Sequence, residues 1–179
     1  GGFLTTNIKK VYDNVMLLRD HGRVKKGNKV IRKSYGLNSR LDNLHAGIAL
    51  VKLKHFFKWV SKRRKIASFY NKELSKLKKY IEVPDFEENK NKYYDTFNSY
   101  VIQVKNRAKL KKYLEEKKIE VYSHIDKGVH LEKNLFKKKI SLPVTEHVEK
   151  KILSLPIYPE LSFKNQKYIF KIIKNFYEK

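Results

Sequence analysis

One stretch of the sequence decides how the rest is interpreted: Tyr35-Gly36-Leu37-Asn38-Ser39-Arg40-Leu41-Asp42-Asn43-Leu44-His45-Ala46-Gly47. It is a polar turn that precedes a long apolar helix, and it carries an amide and a guanidinium. A helix N-terminus has unpaired N–H groups and a partial positive charge, so Asn38 and Arg40 placed there would suit a phosphate. A plainer interpretation stays open, in which Ser39 caps the helix, Asp42 closes a capping box and Arg40 is solvated.

Four other stretches resemble, together with this one and in the same order, short motifs of one known family. The quoted stretch is similar to the Gly-Tyr-Asn-Tyr-Arg segment of the nucleotide-sugar aminotransferases of the DegT/DnrJ/StrS family. The other similar segments are Gly1–Asn7, Leu18–Arg23, Arg63–Leu74 and Leu155–Leu161. Because they extend from the first residue nearly to the last, the resemblance covers almost the whole chain.

The resemblance implies an α/β protein of the aspartate aminotransferase fold, fold type I. It implies that residues 1–40 are the end of a large domain that binds pyridoxal phosphate. Residues 41–78 would be long helices at domain and subunit interfaces, and residues 79–179 a small C-terminal α+β domain. The chain is therefore interpreted as a truncated large domain followed by an α+β sandwich.

The family also supplies an expected activity and a cofactor. The resemblance implies amino transfer, commonly from glutamate, to a keto group of a nucleotide-linked sugar used for surface polysaccharides or glycans. The implied cofactor is pyridoxal 5'-phosphate, and Asn38 and Arg40 would reach across a homodimer to the phosphate of the neighbouring subunit's cofactor.

The segment Val121–Glu132 occupies the place of a family loop that approaches the sugar. His130 is therefore expected to contact the substrate, although a structural histidine at a junction between strand and loop stays an open alternative.

No catalytic residue is assigned, because in this family the lysine that forms the Schiff base precedes the Gly-Gly element. The chain is therefore interpreted as the C-terminal portion of a longer protein, and we expect it to be inactive alone. Two alternatives stay open on this point: a sugar dehydrase of the same family, which carries histidine in place of the lysine, and a non-functional remnant.

Composition suggests a rival function, a nucleic-acid-binding module. The chain has 179 residues, with 42 Lys and Arg against 18 Asp and Glu, and a formal net charge of +24. The lysines are spread through every segment rather than collected in one stripe, which favours a solvated surface over a groove for nucleic acid. Nucleic acid is therefore not the expected partner.

Cysteine and histidine content bear on location and on metals. The sequence has no cysteine, which is compatible with a reducing cytoplasm, and no apolar run of membrane-spanning length. Its six histidines are not in the spacings of known metal motifs, so no metal site is expected. They are His21, His45, His55, His124, His130 and His147.

Hydrophobic periodicity predicts the secondary structure. The predicted helices are Ile8–Asp20, closed by His21-Gly22, then Leu41–Val60, apolar on two faces, then a helix from Arg63, and finally Ala108–Lys117, Val148–Leu153 and Asn165–Tyr177. The predicted strands are Gly2–Thr6, Tyr80–Val83, Ser99–Val104 and Ile119–His124. The pattern predicts a basic loop at Arg23–Ser34, and solvated side chains at Arg63-Arg64-Lys65.

Overall fold

The computed structural model describes residues 2–86, 94–124, 127–132, 134–135 and 140–178. The chain divides into two compact units, Gly1–His55 and Phe56–Lys179. The division into residues 1–40, 41–78 and 79–179 refers to the complete family fold and stays a prediction.

The first unit contains two helices and one hairpin. Helix α1 spans Lys9–Leu18, strands β1 and β2 span Arg23–Lys26 and Lys29–Arg32, and helix α2 spans Asn43–Leu53. As predicted, the chain leaves α1 through His21 and Gly22, both with positive φ, and the Gly22 N–H donates to the Leu17 carbonyl.

Two predictions for this unit are wrong. The segment Gly2–Thr6 is not a strand, because no described residue pairs with its backbone. The predicted loop at Arg23–Ser34 contains the antiparallel hairpin β1–β2, whose two-residue connection is Gly27-Asn28. Gly27 has a φ of 61°, the conformation that tight hairpin turns require at this position, so the Gly-Asn pair was an overlooked hairpin signal.

The predicted helix Leu41–Val60 is also wrong in its limits. Helix α2 ends at Leu53, the turn Lys54-His55 follows, and helix α3 then spans Phe56–Leu74. No residue of α2 is buried in this chain, so the burial expected on two faces stays a prediction about the complete protein.

The second unit is an α+β fold built on a three-stranded antiparallel sheet. Its remaining elements are the strands β3 (Ile81–Glu82), β4 (Tyr100–Val104) and β5 (Ile152–Leu155), and the helices α4 (Arg107–Glu116), α5 (Pro143–Val148) and α6 (Phe163–Tyr177). The strand order is β3-β4-β5. The predicted helix Val148–Leu153 is wrong, because α5 ends at Val148, a turn follows at residues 149–151, and Ile152 and Leu153 begin β5. The predicted strand Ile119–His124 is reduced to one bridge between Tyr122 and Ser154.

The core of the second unit is apolar and closed. Its largest fully buried side chains are Tyr70, Tyr100, Phe97, Leu74, Ile102, Leu110, Leu114, Leu153 and Ile173. The two buried tyrosines satisfy their hydroxyl groups: Tyr70 donates to the Pro156 carbonyl over 3.1 Å, and Tyr100 donates to Asn71. Burial raises the pKa of both phenols, so they act as neutral donors.

Helix α3 begins at Phe56 and not at the predicted Arg63, so Arg63 and Arg64 lie inside it, and they are not free in solvent. Arg63 Nε donates to the Thr96 carbonyl at 3.1 Å, and Arg64 Nη1 donates to the Asp95 carbonyl at 2.7 Å. Arg64 also lies 4.2 Å from the centre of the Tyr94 ring. The prediction of a solvated face is therefore wrong for these two residues, which fix the segment leading into β4.

Candidate functional site

The segment that carries Asn38 is held by backbone hydrogen bonds to the end of α1. The Leu37 N–H donates to the Leu18 carbonyl at 2.7 Å, and the Ser39 N–H donates to the Arg19 carbonyl at 2.9 Å. In the opposite direction, the His21 N–H donates to the Leu37 carbonyl at 3.0 Å. The backbone on both sides of Asn38 therefore has a fixed course, although the segment is exposed.

Two glycines allow this close approach. A Cβ on Gly36 would overlap the backbone nitrogen of Gly22 and lie 2.7 Å from the carbonyl carbon of His21. A Cβ on Gly22 would overlap the Ser34 carbonyl, and its φ of 67° also favours glycine. The sequence suggested Gly22 as a helix terminator and loop breaker, and it gave neither glycine a role in this contact. The signal was available, since both glycines lie within the family-like motifs Leu18–Arg23 and Tyr35–Gly47.

A short chain of polar contacts positions the two predicted phosphate ligands. Arg40 Nε donates to Asn38 Oδ1 at 3.4 Å, and Arg40 Nη1 lies 3.5 Å from Asp20 Oδ1. The same Asp20 oxygen accepts from Arg23 Nη2 at 2.8 Å. The Arg23 hydrogen bond, followed by the positive charges of Arg23 and Arg40, lowers the pKa of Asp20. Asp20 was not predicted, yet it anchors the whole chain of contacts.

The helix N-terminus lies farther along the chain than predicted. Helix α2 begins at Asn43, and its cap is Asp42, whose carboxylate accepts from the His45 N–H at 2.9 Å. This hydrogen bond lowers the pKa of Asp42. The capping box that begins at Ser39 is therefore wrong. Asn38 and Arg40 lie on an extended segment before the helix, and they offer side-chain donors rather than a helix terminus.

The donor set at this place fits a phosphate group. Because Oδ1 of Asn38 accepts from Arg40, the amide orientation is set and Nδ2 carries two N–H donors on the other side. The guanidinium of Arg40 has a further amino group besides the two nitrogens in contact with Asn38 and Asp20. An amide and a guanidinium together provide the charge-assisted donors that phosphate oxygens accept.

His130 lies in the second unit, in a short 3-10 turn at Val129–Leu131. Its side chain is only 6% exposed, and Nε2 is 3.2 Å from Glu146 Oε1. The same carboxylate oxygen accepts from the Leu142 N–H at 2.9 Å. This hydrogen bond, followed by the one to His130, lowers the pKa of Glu146. The predicted contact between His130 and a substrate stays a prediction.

The second unit also contains an open groove of about 840 Å³. Tyr122 and His124 belong to its lining and stack with 5.8 Å between ring centres, and Tyr158 and Tyr168 also line it. Within the described ranges His130 is not part of its lining, so the two histidines of the Val121–Glu132 segment lie in different surroundings.

Two further features of the described residues concern metals and membranes. In the part of the chain that the structure describes, no three His, Asp or Glu residues are arranged to hold a metal ion. None of the described helices combines the length and the apolar character needed to span a bilayer.

Comparison with known proteins finds consistent similarity along the chain. A model of the DegT/DnrJ/EryC1/StrS aminotransferase family matches residues 1–174. A pleiotropic regulatory protein of Geobacillus stearothermophilus is 32% identical over 180 residues, which is 99% of this chain and 47% of that protein. The dTDP-3-amino-3,6-dideoxy-alpha-D-galactopyranose transaminase of Aneurinibacillus thermoaerophilus is 31% identical over 163 residues, or 90% and 43%.

Solved structures share the fold. A DegT DnrJ EryC1 StrS aminotransferase from Brucella abortus gives a TM-score of 0.81 at 30% identity, over 97% of this chain and 45% of that one. NtdA from Bacillus subtilis, solved with bound cofactor PMP, gives 0.83 at 24% identity, over 97% and 41%. The predicted fold class is therefore confirmed, and the chain spans less than half the length of these relatives.

Proposed function

Because the chain belongs to the DegT/DnrJ/EryC1/StrS aminotransferase family, we propose that the whole protein transfers an amino group to a keto group of a nucleotide-linked sugar. Several relatives are named as transaminases of nucleotide-linked sugars, which supports amino transfer over sugar dehydration. The proposal includes glutamate as the amino donor, a cytoplasmic location and products used for surface polysaccharides or glycans.

The observation that carries the proposal is the chain of contacts from Asp20 through Arg40 to Asn38. When bound, pyridoxal phosphate supplies an electron sink for a substrate carbon that loses a proton. The residues of this chain bind and orient: Asn38 Nδ2 and the Arg40 guanidinium hold the phosphate of a cofactor carried by a second copy. Asp20 keeps Arg40 in place, and Arg40 keeps the amide turned outward.

The backbone geometry supports the same role for Asn38. Its neighbours Leu37 and Ser39 are bonded to the end of α1, so the amide starts from a fixed backbone and needs little ordering when the phosphate arrives. A loop without these bonds would have to lose conformational freedom on binding, which would weaken the affinity. The exposed position of Asn38 and Arg40 is what a site shared between two copies requires.

The experiment is a cofactor titration of the whole protein after removal of its cofactor, with Asn38→Ala and Asn38→Asp. Loss of a desolvated hydrogen bond to a charged phosphate costs roughly 1.5–3 kcal/mol. We therefore expect Asn38→Ala to weaken the affinity for pyridoxal phosphate roughly tenfold to a hundredfold. Asn38→Asp should weaken it more, because it keeps the shape and the acceptor for Arg40 but places a negative charge beside the phosphate.

The matched control is Asn14→Ala, an exposed asparagine on α1 with no role in the site. It should leave the dissociation constant of the cofactor unchanged. If Asn38→Ala and Asn38→Asp also leave it unchanged, the phosphate role of Asn38 is wrong. If the whole protein transfers no amino group from glutamate to any keto nucleotide-sugar supplied, the proposed activity is wrong.

A further inference from the structure

A second fixed loop lies in the Phe56–Lys179 unit, where two glutamates near α5 hold the segment Lys127–Glu132. The Gly128 N–H donates to Glu149 Oε2, and Glu149 is buried. Two residues later, the His130 ring meets Glu146 at 3.2 Å. The segment is therefore attached twice, once through its backbone and once through a side chain.

Gly128 allows these two attachments to lie side by side. A Cβ on Gly128 would lie 2.5 Å and 2.7 Å from Cε1 and Nδ1 of His130, and 3.1 Å from Glu149 Oε2. The φ of Gly128 is −60°, which any residue adopts, so the glycine is needed here for space and not for backbone freedom. The imidazole therefore lies directly on the Gly128 backbone.

The His130 ring offers little to a ligand in this arrangement. Its side chain is almost completely buried, Nε2 is in contact with Glu146, and the Nδ1 edge faces the Gly128 backbone. By contrast, His124 is exposed and stacks on Tyr122 at the groove. Only three peptide bonds separate His124 from Lys127. The attachment of Lys127–Glu132 therefore also limits how far His124 can move at the groove.

We propose that His130 is a positioning residue, which acts through Glu146 to fix the segment Lys127–Glu132, and that it does not contact the substrate. We call the set Gly128, His130, Glu146 and Glu149 the latch. Its effect on the reaction rests on the proposed function: a fixed segment keeps the side of the groove in its binding position, so the latch supports substrate affinity and not the chemical step.

A double-mutant cycle on the full 179-residue chain tests the latch itself. The readout is amide hydrogen exchange at Gly128 in His130→Ala, in Glu146→Ala and in the double variant. If His130 acts through Glu146, each single change should speed exchange about tenfold, and the double variant should be no faster than either one. Rates that multiply to about a hundredfold in the double variant would show independent roles and overturn the proposal.

Two further variants distinguish loss of the contact between His130 and Glu146 from a general loss of structure. Glu146→Gln keeps an acceptor for the Leu142 N–H and the His130 ring, so exchange at Gly128 should return close to the unsubstituted rate. His147→Ala removes a neighbouring exposed histidine of α5 that contacts Lys151, and it should change nothing at Gly128. If Glu146→Gln behaves like Glu146→Ala, the hydrogen-bond geometry does not hold the loop and the proposal is wrong.

The same three variants in the whole protein separate the latch from a substrate contact. We expect His130→Ala, Glu146→Ala and the double variant to raise KM for the nucleotide-sugar equally, with kcat changed less than about twofold. An increase in His130→Ala alone would mean a direct contact and would overturn the proposal. Absence of amino transfer in the unsubstituted protein would contradict the proposed function only, because the exchange cycle decides the latch without it.

Discussion

The two units of this chain are stabilised in opposite ways. In the unit Phe56–Lys179, apolar side chains from three helices and the sheet form one closed core. In the unit Gly1–His55, helices α1 and α2 have no buried residue. Leu44 is 75% exposed and Leu50 65%, although the sequence of α2 is as apolar as a core helix. The apolar composition of a segment therefore does not show whether its side chains are buried within the same chain.

The first unit nevertheless has a defined backbone around the candidate site. Its order comes from backbone hydrogen bonds between the end of α1 and the segment Leu37–Ser39, and from the contact of Gly22 with Gly36. Such bonds contribute little net free energy each where water competes for them. The comparison teaches that the binding geometry and the main source of stability lie in different parts of this chain.

The largest expected effect comes from a cavity in the closed core, and it tests whether that core is the main source of stability. Leu114 of α4 is completely buried, so Leu114→Ala should lower the free energy of unfolding by about 2–5 kcal/mol in urea titrations of the chain. The paired change Leu44→Ala, on the exposed face of α2, should alter it by less than about 0.5 kcal/mol.

An unexpected result for the leucine pair would have a specific meaning. If Leu44→Ala destabilised the chain as much as Leu114→Ala, then α2 would be covered in solution, for example by a second copy. Repeating the titration at several protein concentrations would identify that case, because stability that depends on association depends on concentration.

The sequence predicted the second unit better than the first, for a physical reason. The helix Arg107–Glu116, the strand Tyr100–Val104 and the helix Phe163–Tyr177 bury one face each, and their periodicity reports that face directly. The first two residues of the strand Ile152–Leu155 were assigned to a helix, because the strand is nearly all buried and a fully buried strand shows no alternation.

Of the candidate site, the sequence predicted Asn38 and Arg40 but not their support. The resemblance to family motifs identified the two donors. It could not identify Asp20 as their anchor, because that contact joins residues 20 positions apart and depends on the approach of two backbone segments at Gly22 and Gly36. The role of Arg63 and Arg64 was missed in the same way, since their acceptors are backbone carbonyls about 30 residues away.

A second prediction tests the backbone contact within the first unit by substituting two glycines, Gly36 and Gly47. Gly36→Ala should push the segment Leu37–Ser39 away from α1, because its Cβ would overlap Gly22. Inserting an atom into such a contact costs about 1–3 kcal/mol. Amide hydrogen exchange at Leu37 and Ser39 should then speed up roughly tenfold to a hundredfold, while amides of β4 in the second unit keep their rates.

The matched change is Gly47→Ala in the middle of α2, where a Cβ would meet nothing within 4 Å. Alanine is a better helix former than glycine by up to about 1 kcal/mol, so this variant should slow exchange in α2. Faster exchange in both variants would mean that the first unit tolerates no change at all. Unchanged exchange in Gly36→Ala would mean that the glycine contact does not hold the segment.

The smallest expected effect concerns the charge of Asp20. Protonation of this carboxylate should change hydrogen exchange in the first unit and not in the second. The hydrogen bond from Arg23, together with the charges of Arg23, Arg40 and His21, lowers the pKa of Asp20 below its ordinary value of 3.8. The ionised carboxylate therefore stabilises the fold above pH 3.8, and this contribution is lost as the pH falls through the lowered pKa. Protection of the Ser39 amide should decrease over that interval by less than about tenfold, because exposed ion pairs contribute little.

The control is Asp20→Asn, in which protection of the Ser39 amide should be lower at neutral pH and should not change with acid. The amides of β4 should behave alike in both proteins. A full acid response retained in Asp20→Asn would assign the anchor of this segment to another group.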